Sequence, residues 1–145
     1  MAYTHILLHV VWGTKKRAKA LTKDIREIIY KHILENAATK NIHIVAINGW
    51  FDHVYCLLSL NADMSIAKCM QLIKGESAFW INRQKMIASK FEWADEYYAV
   101  SVSKSNADSV IKYIQHQEEH HRIHTYAEEL AKIAGLHKFP FESDE

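Results

Sequence analysis

His53 and Tyr55 sit one residue apart in "GWFDHVYCLLSL", residues 49 to 60. In an extended chain, residues two apart share a face. An imidazole is a metal ligand or base, and a phenol is a hydrogen-bonding aromatic. Two readings are open: packing on a half-buried strand, or a metal site with one ligand replaced. A second set lies in "VIKYIQHQEEHHRIH", where Tyr113 and Gln117 are four apart and His120 and His124 continue the stripe. On a helix these are surface neighbours, at the edge of the apolar face of Val110, Ile111 and Ile114. A phenolic oxygen can attack a phosphodiester. A divalent ion held by imidazole and amide oxygen can polarise the phosphate. Taken alone, Tyr113 also reads as a boundary aromatic and Gln117 as a solvated amide.

The elements that must carry these residues follow from hydrophobic periodicity. "YTHILLHVVW" (residues 3 to 12) alternates, with Ile6, Leu8, Val10 and Trp12 on one face and His5, Leu7, His9 and Val11 on the other. This period of two predicts a strand. Residues 22 to 40 have helical period and start at Thr22, a candidate cap. Residues 41 to 50 predict a second strand, and "NGW" a turn into the third strand, residues 51 to 60. A helix is expected from about Ser65 to Gln84, and a fourth strand over residues 97 to 103. Ser105 is expected to cap the helix bearing Tyr113, with Asp108 completing a capping box. A short last helix is expected at about residues 126 to 133, ending before Gly135.

The order β-α-β-β-α-β defines an α+β, ferredoxin-like sandwich with an antiparallel sheet and additional C-terminal helices. In it the first and third strands are central neighbours. His5, His9, His53 and Tyr55 then fall on the face opposite the two helices, open to a ligand, a partner or a third helix. The chain of 145 residues predicts a single domain, with its core at about residues 3 to 130 and a short C-terminal tail.

Nearly half the residues are apolar and the formal net charge is +1, so the overall charge does not argue for a nucleic-acid partner. The charge is uneven, with "TKKRAK" at residues 14 to 19 and "FESDE" at the end. Cys56 and Cys69 are expected to be buried free thiols. No apolar run has the ~20 residues of a membrane span, so no membrane association and a cytoplasmic location are expected.

The whole pattern resembles the single-tyrosine, HUH-type transposases of bacterial insertion sequences and their REP-associated relatives. "HVVWGTKKR" looks like their first strand and basic turn. "DHVYCLLSL" looks like a strand that normally reads Asp-His-Val-His. "IAKCMQLIKGESAFWIN" resembles the following helix, "FEWADEYYAVSVS" the approach to the last strand, and "VIKYIQHQEEHH" the nucleophile helix. The resemblance spans roughly residues 3 to 130. It implies that Tyr113 is the nucleophile and that His53 and Gln117 hold a divalent metal ion, Mg²⁺ or Mn²⁺. The chain departs from the pattern at Tyr55, which stands where the second histidine is expected, and at "DEYY", where Gly more often precedes Tyr.

The implied activity is transposition of single-stranded DNA. Hairpin-flanked ends would be cleaved and rejoined through a 5′-phosphotyrosine intermediate, by a homodimer with shared active sites. The departure at Tyr55 leaves three outcomes: His9 or His5 replaces the lost ligand, the metal binds weakly, or the protein is a catalytically impaired DNA-hairpin binder. Lys15, Lys16, Arg17, Lys19 and Lys74 are expected to contact DNA phosphates, with Arg83 a further candidate. Trp50 and Trp93 are either core residues or stacking platforms for bases.

Overall fold

The structure, a computed structural model, describes residues 3–117. Its elements are β1 (Leu7–Gly13), α1 (Lys23–Thr39), β2 (His43–Gly49), β3 (His53–Ser59), α2 (Ile66–Arg83), β4 (Tyr98–Val102) and α3 (Ala107–Gln115). The four strands form one antiparallel sheet in the order β2-β3-β1-β4. This is the expected ferredoxin-like arrangement with one helix added.

Alternation along the two central strands sorts their side chains into two cores. Val10, Trp12, Val54, Cys56 and Leu58 pack with Ile29, Ile33 and Ile73 of α1 and α2. Leu7, Val11, Tyr55 and Leu57 face the other way and pack with Val110 and Ile114 of α3. A third helix therefore covers the face opposite α1 and α2. Its apolar stripe supplies the burial that a nine-residue helix needs to persist.

The ends of the elements differ from the sequence reading in ways local chemistry explains. β1 begins at Leu7 rather than Tyr3, because its ladder to β3 ends at Leu7–Ser59 with one further bond from Leu60 N–H to the Ile6 carbonyl, 2.8 Å. Asn48 and Gly49 are still paired, with Tyr55 and Val54. The hairpin therefore turns over residues 50–53, where Trp50 N–H donates to the His53 carbonyl at 3.0 Å. Ser65 caps α2 as expected, accepting from Lys68 N–H at 3.0 Å. Thr22 occupies the cap position of α1 but spends its hydroxyl on Asp24 Oδ1 at 2.6 Å. Ser105 does not cap α3. The chain enters through a 3₁₀ turn at Lys104–Asn106, α3 starts at Ala107, and the Ser105 hydroxyl pairs with that of Ser103. The expected last helix, His120, His124 and the acidic tail lie outside the described residues.

Gly49 is required by a close approach. An added Cβ would stand 2.2 Å from the His53 carbonyl oxygen and 2.6 Å from the Tyr30 hydroxyl. Gly75, in the middle of α2, meets nothing within 4 Å. In denaturant unfolding, Gly49→Ala should therefore lose about 1–3 kcal/mol through overpacking, and Gly75→Ala should gain about 0.5–1 kcal/mol through helix entropy. Both cysteines are buried free thiols, as expected. Burial pushes the Cys69 thiol up to about 11 and Cys56 higher still. Both thus stay protonated at pH 8, and the native protein should not react with a disulfide reagent there until it is unfolded.

Candidate active site

β1 and β3 pair so that Gly13 lies opposite His53, Val11 opposite Tyr55 and His9 opposite Leu57. These alternate positions share the face under α3. The Tyr55 ring lies at the centre of an aromatic cluster. Ring centroids are 5.1 Å from Tyr55 to His53, 5.8 Å to His9 and 5.9 Å to Tyr113, and Tyr113 lies 6.1 Å from His9. His53, Tyr55 and Gln117 are fully buried and Tyr113 is half-buried. The fold thus gathers His53, Tyr55, His9 and Tyr113. Gln117 lies one helical turn beyond Tyr113, and its side-chain amide N–H donates to the Tyr113 carbonyl at 3.0 Å. The C-terminal end of α3 is tied to the sheet by Asn48, whose amide donates to the Gln115 carbonyl at 3.2 Å.

His53 is held by its neighbours. Its Nδ1–H donates to Asp52 Oδ1 at 2.6 Å, the kind of contact that fixes the ring orientation of a ligating histidine. Asp52 is itself fixed. Thr14 N–H donates to its carbonyl at 2.9 Å, and the Thr14 hydroxyl reaches the carbonyls of Ala18 (2.7 Å) and Asp52 (3.2 Å). The turn preceding His53 is clamped from α1. Arg26 Nη1 donates to the Leu21 carbonyl, its guanidinium stands 5.1 and 5.2 Å from the Trp50 and Phe51 rings, and Leu21 N–H donates to the Phe51 carbonyl. Sequence reasoning missed Asp52, Thr14 and Arg26 as positioning residues. The adjacent "DH" was the available signal for Asp52. No motif marks Thr14 or Arg26, since the contacts that join them to the turn before His53, at Asp52, Trp50 and Phe51, are distant in sequence.

The two proposed substitutes for the lost histidine fall elsewhere. His5 is exposed and precedes β1. It is eight residues before Gly13, about 26 Å along an extended chain, so the structure does not bring it to His53. His9 is on the correct face, but its strand position is about 13 Å along the sheet from that of His53, at ~3.3 Å per residue. Tyr55 lies between them. Among the described residues no three His, Cys, Asp or Glu side chains gather as a ligand set. A divalent ion would therefore rest on His53 Nε2 and the Gln117 amide oxygen, with Tyr55 contributing a phenol that is protonated near neutral pH and ligates poorly. That donor set fits a weakly held, oxygen-preferring ion that keeps several waters.

The expected DNA-contacting lysines separate into two groups. Lys15, Lys16 and Arg17 form a 3₁₀ turn directly after β1, with Lys19 exposed just beyond. Lys15 Nζ pairs with Glu92 at 3.0 Å. Lys74 is used differently. Its ammonium donates to the carbonyls of Ala94 (2.6 Å), Asp95 (3.0 Å) and Glu96 (3.5 Å), and burial lowers its pKa. One turn on, Ser77 accepts from Trp93 Nε1 at 2.9 Å. "KGES" thus anchors the approach to β4. Trp93 is a core residue, Trp50 stacks by Arg26, and Arg83 is exposed at the end of α2.

This chain belongs to the IS200-like transposase family, whose profile matches residues 2–117. No curated protein matches the sequence. Two solved structures share the fold. One is a candidate transposase from Deinococcus radiodurans, with 22% identity over 81% of this chain and 95% of that one, TM-score 0.62. The other is a REP-associated tyrosine transposase bound to a REP hairpin, with 13% identity over 83% of this chain and 72% of that one, TM-score 0.63. No described helix is long and apolar enough to cross a membrane.

Removing the Lys74 ammonium leaves the half-buried Ala94 carbonyl short of a donor and opens the Asp95 and Glu96 carbonyls to water. Lys74→Met should cost about 0.5–1.5 kcal/mol in chemical unfolding, while the salt dependence of DNA binding stays unchanged. A reduced salt slope would instead assign Lys74 to the DNA contact.

Proposed function

We propose that this protein binds single-stranded DNA at hairpin-flanked ends and exchanges strands through Tyr113. The Tyr113 phenolic oxygen attacks the scissile phosphorus and gives up its proton. The 3′-oxygen leaves and takes up a proton, which yields a 5′-phosphotyrosine link and a free 3′-hydroxyl. Attack by another 3′-hydroxyl reverses the step and restores the phenol, so no external energy source is needed. The observation that carries this reading is the placement of Tyr113 and His53 against one shared ring, Tyr55, on a single sheet face.

A bound Mg²⁺ or Mn²⁺ would polarise the phosphate and stabilise the leaving oxygen. His53 and Gln117 are the residues proposed to hold it, with His53 oriented by Asp52. The basic turn Lys15–Arg17, with Lys19, is proposed to contact backbone phosphates. We further propose a homodimer with shared active sites. In this chain α3 packs on its own sheet and sets Tyr113 against Tyr55 of the same chain, so shared active sites would require α3 to exchange between subunits.

One observation favours a second reading. Tyr55 is fully buried where the second histidine of the family pattern belongs. On this reading the protein is a hairpin-binding member of the family with impaired chemistry.

Covalent capture separates the two. The protein is incubated with Mn²⁺ and single-stranded hairpin DNA from its own genomic flanks, and an SDS-stable adduct is measured. An adduct in the wild type that disappears in Tyr113→Phe is expected from a working transferase, with Tyr55→His raising its yield and lowering the Mn²⁺ requirement. An adduct in Tyr55→His alone supports the binding reading. Bound DNA with no adduct in either protein counts against Tyr113 as nucleophile.

A further inference from the structure

We propose that the groove between the basic turn and the 82–92 segment is a binding track for the single-stranded DNA flanking the hairpin. The inference rests on the DNA-binding reading above and extends it to a surface that the sequence motifs do not mark. Two cavities adjoin there. One, of about 300 Å³, lies between the basic turn and residues 87–92. The other, of about 500 Å³, adjoins it along the same segment and reaches Asn82 and Lys85. They share Ile87, Ser89 and Lys90 as a common wall, and each has the size of a small-ligand site. The cations around them are Lys15 and Lys16 on one side and Lys85 and Lys90 on the other, all exposed. Ile87, half-buried, supplies an apolar lining against which a sugar or base can lie. A row of cations beside apolar surface is what a single strand requires, because its phosphates and base faces are both accessible.

Two further observations point the same way. Lys16, which lines the first cavity, has a left-handed backbone. Glu92 also bridges the rims, with Lys15 at 3.0 Å and Lys90 at 3.7 Å, and these lysines hold its carboxyl below the usual range. A phosphate can take the place of that carboxylate between the two ammonium groups. The groove also abuts the candidate active site. Thr14 lines the first cavity and donates to Asp52, the residue that orients His53. A strand lying in the groove is thereby led toward the proposed scissile position.

The test uses the full chain and two probes with the same stem: a blunt DNA hairpin and the hairpin carrying an oligo(dT) flank. The variant is Lys85→Asn with Lys90→Gln. Both positions are exposed, and Asn tolerates the left-handed backbone of Lys85. The expected result is about a tenfold loss of affinity for the flanked hairpin. The salt slope should fall by about 1.4, at ~0.7 per phosphate contact on a single strand. Affinity for the blunt hairpin should stay within about twofold, with an unaltered unfolding midpoint. An unchanged flanked-hairpin affinity, or an equal loss on both probes, overturns the track while leaving DNA binding intact. Failure of the wild type to bind either probe overturns the DNA reading, and the track with it.

Discussion

The register of β1 against β3 is the constraint on which the rest of this structure depends. Pairing Gly13 with His53 places His53, Tyr55 and His9 on one face. A slip of one residue would move every one of them to the face under α1 and α2. The same register brings Thr14 to the Asp52 carbonyl, and so joins the basic turn to the histidine. Two features that are 38 residues apart in sequence become one local unit.

The covering of that face by α3 is the second determinant. Val110 and Ile114 bury themselves against Leu7, Val11 and Leu57. The helix that makes the second core is also the helix that carries Tyr113. Packing energy and placement of the proposed nucleophile are therefore the same interaction. Tyr55 takes part in both: it fills space in this core and stands in the position of a metal ligand. A phenol there satisfies the packing role fully and the ligand role poorly, which sets the contrast between the strong fold resemblance and the thin donor set around His53.

The lysines show how position outweighs residue type. Lys74 and the basic turn carry charge of the same sign, and both belong to stretches that resemble the family pattern. Lys74 turns inward and ties down three consecutive carbonyls before β4. Lys15 and Lys16 stay at the surface beside an open groove, with Lys19 exposed just beyond. A half-buried amine is drawn to the backbone carbonyls around it, because leaving them without a donor is costly, whereas a fully exposed one stays open to an anion.

The sequence by itself determined the element order, the two faces of β1 and β3, and the helix face of Tyr113, because these follow from periods of 2 and 3.6 that any residue pattern displays locally. Its ordered motifs also determined the family. Only the tertiary structure decided that Ser105 leaves α3 uncapped, that the hairpin turns at residues 50–53, and that His5 lies far from His53 while Tyr55 separates His9 from it. It alone decided that Asp52, Thr14 and Arg26 position the histidine, and that two lysine-bearing loops border one groove. These depend on pairing register and on contacts between residues distant in sequence, which no local pattern encodes.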